Sequence, residues 1–222
     1  RKGVSGIREV ESVSTEGCVS HVGAEVHCDT LPAPQYDRSV RLCLKAAQEA
    51  VQDSKLPQSD LHDAGVVLGS CVGGAASIDH YYSGLLRGEE HKADILKMSA
   101  SSIACDVAHE LGASGETANI VNACAAGTMS VAYACDLIRA GKGKVYLAGG
   151  TDAFSSLAYS GFNALHALSA EACSPLNHSN GITLGEGSGV VVVEEYEHAV
   201  ARGAKIYCEV AGYGVSSDAF HI

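Results

Sequence analysis

Apolar residues first recur along the chain at a spacing of three and four. Val40, Leu44, Ala47 and Val51 share one face of a helix that Asp37, an N-cap residue type, would open and Pro57 would close. The next apolar stretch, Gly65-Val66-Val67-Leu68-Gly69-Ser70, is unbroken, β-branched and too short for a helix. It predicts a buried parallel strand, followed by a glycine-rich turn at Cys71-Val72-Gly73-Gly74. Residues 98–111 return to a helical pattern that stops at Gly112. Residues 117–122 predict another buried strand, residues 124–140 a helix with Gly141 at its stop, and residues 144–148 a strand closed by Gly149-Gly150. A strand over 190–194, a short helix over 196–201 and a long strand over 206–215 complete the pattern. Ahead of them, residues 1–30 are mixed and β-like, with edges at Val19-Ser20-His21-Val22 and Ala24-Glu25-Val26, and the two prolines within 31–35 mark a loop. Strands alternating with helices predict an α/β fold with a largely parallel sheet.

Composition narrows the class. The chain has 222 residues, 46% hydrophobic and 18% charged, which suits one or two globular domains with a real core. A formal net charge of -11 argues against a general binder of phosphate backbones and leaves room for a local basic patch facing an acidic protein. The nine cysteines are odd in number and contain no CxxC pair, which argues against a zinc site and a disulfide framework and for reduced thiols in the cytoplasm. No apolar run approaches the ~20 residues of a membrane span. Arg1 at the start and Phe220-His221-Ile222 straight after a predicted strand lead us to expect a piece of a longer protein.

One stretch has the layout of an acyl-transfer site. In Ile120-Val121-Asn122-Ala123-Cys124-Ala125-Ala126-Gly127-Thr128 a buried strand gives way almost at once to a helix. That places Cys124 at a helix N-terminus, where the dipole and free N–H groups favour a thiolate and can hold the oxyanion of a thioester. Small neighbours leave space for a substrate carbonyl. Local pattern alone leaves a second reading open, a small buried core cysteine.

The wider context separates the two. The run around Cys124, the strand ending in Ala148-Gly149-Gly150-Thr151-Asp152-Ala153, Gly161-Phe162-Asn163-Ala164-Leu165-His166-Ala167-Leu168-Ser169 and Leu184-Gly185-Glu186-Gly187-Ser188-Gly189 resemble, in order, the blocks of the elongating β-ketoacyl-acyl-carrier-protein synthases. Upstream, Asp37-Arg38 and Gly69-Ser70-Cys71-Val72-Gly73-Gly74 are also similar to that family, so the resemblance covers nearly all of residues 1–222 as the N-terminal and central part of one synthase domain.

The resemblance implies a thiolase-like layered α-β-α-β-α fold, here an incomplete portion with a mostly parallel and mixed sheet. It implies Cys124 as the nucleophile of a decarboxylative Claisen condensation with malonyl-acyl-carrier protein, in fatty acid or polyketide/polyene synthesis. The histidines and lysine that complete the family's site lie beyond this chain, and none of its ten histidines takes those roles by motif. His221 matches a structural histidine of the family. Val72 matches the residue closing the acyl pocket and Phe162 an aromatic residue lining the acyl site, while Glu186 in Leu184-Gly185-Glu186-Gly187 reads as a structural brace that accepts backbone hydrogen bonds. The resemblance implies no metal and no cofactor beyond the phosphopantetheine of acyl carrier protein. The implied partners are that carrier protein and a second ketosynthase-fold subunit, in a homodimer or heterodimer. Asn177, where many members carry aspartate, and Ser101, where asparagine is frequent, point toward a specialised synthase. A non-catalytic chain-length factor or a coenzyme A-dependent thiolase are the alternatives. The Glu89-Glu90-His91-Lys92 run reads as a solvated face or loop.

Overall fold

A computed structural model describes residues 3–178 and 180–219. In chain order it holds β1 (Arg8–Glu9), β2 (Val22–Gly23), α1 (Arg38–Ser54), α2 (Gln58–Asp63), β3 (Gly65–Gly69), α3 (Ala75–Arg87), α4 (Ser102–Leu111), β4 (Thr117–Ile120), α5 (Ala126–Arg139), β5 (Val145–Asp152), α6 (Ser156–Ala164), β6 (Gly187–Glu194) and α7 (Tyr196–Ala201). Two 3-10 turns, Lys92–Lys97 and Ala123–Ala125, precede α4 and α5.

The main sheet has the order β4-β3-β5-β6. β3 pairs parallel with β4 and with β5, while β5 and β6 pair antiparallel, so the sheet is mixed. Strand periodicity sorts the core. Val66 and Leu68 of β3 and Val145 and Leu147 of β5 pack with Val40, Cys43 and Ala47 of α1 and Ile103, Ala104 and Val107 of α4. Val67, Tyr146 and Ala148 point the other way, onto Ala134 and Leu137 of α5. The result is three layers: α1 and α4, the sheet, then α5. The predicted face of α1 is the buried one, and Asp37 caps it by accepting from the Ser39 N–H at 2.8 Å.

Three expectations need correction. The strand over 117–122 is shorter, β4, and among the described residues pairs only with β3, so there it is a half-buried edge instead of a buried centre. The strand at 144–148 does not close at Gly149-Gly150 but runs on to Asp152. Both glycines are there because backbones come close. A Cβ on Gly149 would lie 2.0 Å from the Gly189 carbonyl oxygen of β6, and one on Gly150 would lie 3.0 Å from Gly127 Cα of α5. Gly149→Ala is therefore expected to destabilise the protein by about 2–3 kcal/mol, read as a lower denaturant midpoint at unchanged slope.

Residues 206–215 form no strand among the described residues. They find no ladder partner there and lie along the surface. Arg139 Nη2 donates to the Val210 carbonyl at 3.1 Å, and the Tyr207 hydroxyl donates to Asp53 at 2.9 Å. Of the two predicted N-terminal edges, only Val22 falls in a named strand, while Ala24 forms a single bridge to Gly185.

Candidate active site

The strand-to-helix junction at Cys124 is tight and strained. Ile120 ends β4, and Ala123 adopts φ +42, a left-handed conformation that costs an alanine about 1–3 kcal/mol. The 3-10 turn that follows leaves Cys124 exposed, just ahead of the 14-residue α5. Glycines let this helix end sit on the sheet. A Cβ on Gly69 would meet the Ala126 carbonyl carbon at 2.3 Å, while Gly127 faces Gly150 at ordinary contact distance, a Cβ on it lying 3.6 Å from Gly150 Cα. The Ser130 hydroxyl, wholly buried, lies 2.7 Å from the Gly127 carbonyl oxygen and also bonds the Gly149 carbonyl, tying α5 to β5.

Cys124 opens onto a cleft of about 340 Å³ whose walls include Gly127, Gly150, Asp152, Gly187 and Ser188. The lining is small throughout, which suits the close approach of a thioester. Asp152 at the end of β5 secures the neighbouring glycine-rich turn. Its Oδ1 accepts from the Ser70 hydroxyl at 2.8 Å and the Cys71 N–H at 2.9 Å, while the Ser70 hydroxyl oxygen accepts from the Gly73 N–H at 2.8 Å.

The same turn is held from beneath. Ser39 donates its hydroxyl to the Gly73 carbonyl at 2.9 Å, and buried Asp37 accepts from the Ser77 N–H and hydroxyl at 2.8 and 2.7 Å. Asp37→Ala strands these buried donors and removes the α1 cap. A loss of about 2–4 kcal/mol is expected, seen as a lowered thermal midpoint.

The other cysteines differ from Cys124 in setting. Burial pushes the Cys43 thiol up to about 12, and burial also raises Cys135. Burial, then the charges of Asp152 and Cys124, raise Cys71. Cys28, lowered by hydrogen bonds at Thr30, lies in a loop outside this cleft.

Glu186 braces the loops beside the site. Its carboxylate takes the Arg38 guanidinium at both oxygens, the Val26 N–H at 2.7 Å and the Phe154 N–H at 3.0 Å. Burial alone would raise its pKa, but the Arg38 and backbone hydrogen bonds together hold it below the ordinary glutamate value. This fixes the Gly185 and Gly187 walls of the cleft.

The residues singled out from sequence are not all in one place. Cys124 lines the cleft, while Val72 and Phe162 do not. Val72 follows Cys71 in the secured turn, its N–H 3.4 Å from Asp152 Oδ1. Phe162 lies half-buried on α6 in a separate cluster with Phe154, Tyr159 and Leu168. His221 lies outside the described residues. Asp152 and Ser70 are the site residues whose roles sequence reasoning missed. Their signal was present in the Thr-Asp step after Gly149-Gly150 and the serine ending β3.

With this geometry in hand, similarity to known proteins is specific. Residues 24–199 match the family described as Beta-ketoacyl synthase, N-terminal domain. The chain is 34% identical over 240 residues to 3-oxoacyl-acyl-carrier-protein synthase 2 of Staphylococcus aureus, covering 100% of this chain and 58% of that protein. It is 35% identical over 235 residues to Nodulation protein E of Rhizobium meliloti, with coverage of 100% and 58%. Among solved structures, the ishigamide ketosynthase/chain length factor superposes with a TM-score of 0.89 at 32% identity, covering 100% of this chain and 59% of that one. A type II polyketide acyl-carrier protein in complex with its ketosynthase bound to the hexaketide gives 0.85 at 30%, covering 99% and 58%. The fold is thus that of the thiolase-like condensing enzymes. The chain belongs to the β-ketoacyl synthase family, and it spans 58% of the length of these curated relatives.

Proposed function

We propose that the protein containing this chain is a 3-oxoacyl-acyl-carrier-protein synthase with Cys124 as nucleophile. The observation that carries the reading is an exposed cysteine on a strained turn ahead of α5, open to a cleft walled by small residues. The Cys124 thiolate attacks the carbonyl of an acyl chain carried on the phosphopantetheine thiol of acyl carrier protein. The tetrahedral intermediate puts its negative charge on oxygen, where backbone N–H groups near the helix start can stabilise it. Collapse expels the carrier thiolate and leaves the chain on Cys124 as a thioester. A malonyl thioester then loses carbon dioxide, and the electron pair of the broken C–C bond forms the new bond to the acyl carbonyl. Cys124 departs as thiolate and the product is a 3-oxoacyl thioester. The groups that assist decarboxylation are assigned to the part of the domain beyond this chain.

Val72 and Phe162 are proposed to shape the acyl pocket, Val72 from the turn that Asp152 secures. Acyl carrier protein is the proposed partner, with a second ketosynthase-fold subunit completing a dimer, in the cytoplasm. The S. aureus and type II polyketide relatives support a carrier-protein thioester over a coenzyme A thioester as substrate. The test is to supply the whole protein with a medium-chain acyl-carrier thioester and malonyl-carrier protein. Carbon dioxide and a 3-oxoacyl-carrier product in equal amounts are expected. Turnover of coenzyme A thioesters alone, or none in a folded protein, contradicts the proposal.

A further inference from the structure

A second cluster of chemistry-bearing side chains lies on α3 and the segment after it. His80 is on α3, while His91 immediately precedes the 3-10 turn that contains Asp94. One ligating atom from each of His80, His91 and Asp94 lies within 4.8 Å of the others. His80 Nδ1 is 2.6 Å from Asp94 Oδ2, and the two imidazole centroids are 4.1 Å apart. The expectation of a solvated loop at residues 89–92 holds for Glu89, Glu90 and Lys92, which are exposed, while His91 is drawn against α3.

The fold makes room for this. Gly84 lies on α3 one turn beyond His80, and a Cβ there would come 2.1 Å from His91 Cδ2 and 2.8 Å from its Nε2. Only a residue without a side chain admits the imidazole. Asp94 and His91 are also steadied from behind. Lys97 Nζ holds the other Asp94 oxygen at 3.2 Å, leaving Oδ2 toward the cluster. The Glu89 carboxylate, gripped by Arg87 at 2.9 Å, lies 3.1 Å from His91 Nε2. Outer partners of this kind orient metal-ligating histidines and carboxylates.

We propose that His80, His91 and Asp94 form a binding site for a divalent late first-row transition ion, with zinc the expected occupant and water completing the coordination. Two imidazoles and one carboxylate are the donor set such ions prefer. Tetrahedral bonds of about 2.0 Å set ligand atoms ~3.3 Å apart, so His80 and Asp94 would part slightly from 2.6 Å while His91 closes in from within 4.8 Å. The ion would staple the segment 89–97 to α3. That segment matters to the Cys124 cleft indirectly, because Lys97 packs its carbonyl oxygen where a Cβ on Gly74 would be, at 1.9 Å. The site therefore braces the glycine-rich turn from outside and takes no part in acyl transfer.

The test uses the whole protein, stripped with chelator and titrated with zinc by calorimetry and with cobalt(II) by visible absorption. One ion per chain with a micromolar or tighter constant is expected, with a thermal midpoint that rises on zinc addition. His80→Gln, a change at an exposed side chain, and His91→Gln are each expected to weaken binding at least ~10-fold and abolish that rise. Gly84→Ala, which removes no ligand atom, is expected to weaken it by displacing the His91 ring. No saturable binding overturns the proposal. So does binding of undiminished affinity in both histidine variants, or a cobalt spectrum with thiolate charge transfer that disappears in Cys124→Ser.

Discussion

Cys124→Ala in the whole protein is expected to lower formation of the 3-oxoacyl product at least about 10³-fold. Without the thiolate there is no covalent acyl intermediate, and the acyl group has nowhere to wait while the carrier proteins exchange. The fold should survive, because Cys124 is exposed and the structural demands of the junction fall on Ala123, Gly127 and Ser130. Far-UV dichroism and the thermal midpoint should match the parent. Cys71→Ser is the control, since that thiol is raised by burial and then by the charges of Asp152 and Cys124. It should retain activity within about tenfold of the parent, a ceiling of roughly 1.4 kcal/mol in barrier height.

Arg38→Met is expected to cost about 3 kcal/mol of stability at pH 7, the low end for a broken buried pair because Arg38 is itself 32% exposed. The change leaves the Glu186 carboxylate, 1% exposed, with only backbone N–H partners. The pH dependence follows from the sign of the shift. Folded Glu186 has a lowered pKa, so its contribution is present above the unfolded value of about 4.3 and is lost as pH falls through the lower folded value. In Arg38→Met burial is no longer opposed by the guanidinium and the pKa rises. The deficit relative to the parent should therefore be largest near neutrality and shrink as pH falls and Glu186 takes up a proton in the variant. Denaturation midpoints of both proteins across pH 4 to 8 check this. A deficit independent of pH would assign the loss to packing alone.

Much of the sheet and its covering helices was legible because the core is sorted by simple periods. The alternation of Val66 and Leu68 against Val67, and the α1 face of Val40, Leu44 and Ala47, are direct consequences of burial on opposite sides. Helix α3 was not legible, because its buried positions are Ala75, Ser77 and Gly84, which carry no apolar period. Helix α6 buries Tyr159 alone among its residues and was hidden for the same reason. The glycine pair in β5 misled because glycine normally ends strands, whereas here it admits Gly189 and Gly127.

The placement of Cys124, the proposed nucleophile, was legible at the level of residues, since a strand meeting a helix at a cysteine leaves few geometries. Its supporting shell was not. Asp152 reaches Ser70 across 82 positions of sequence, and Arg38 reaches Glu186 across 148. Pairings of that range carry no local pattern. The same holds for the cluster of His80, His91 and Asp94, which depends on one glycine leaving room for one ring.

The central claim is that Cys124 carries the acyl chain. Its most direct test is to mix the whole protein with a medium-chain acyl-carrier thioester and read intact and peptide masses before malonyl-carrier protein is added. The account predicts one acyl group per chain, mapped to the peptide bearing Cys124, absent from Cys124→Ala and discharged by malonyl-carrier protein. An acyl group on another residue, or none in a protein that is folded and binds the carrier, would contradict it.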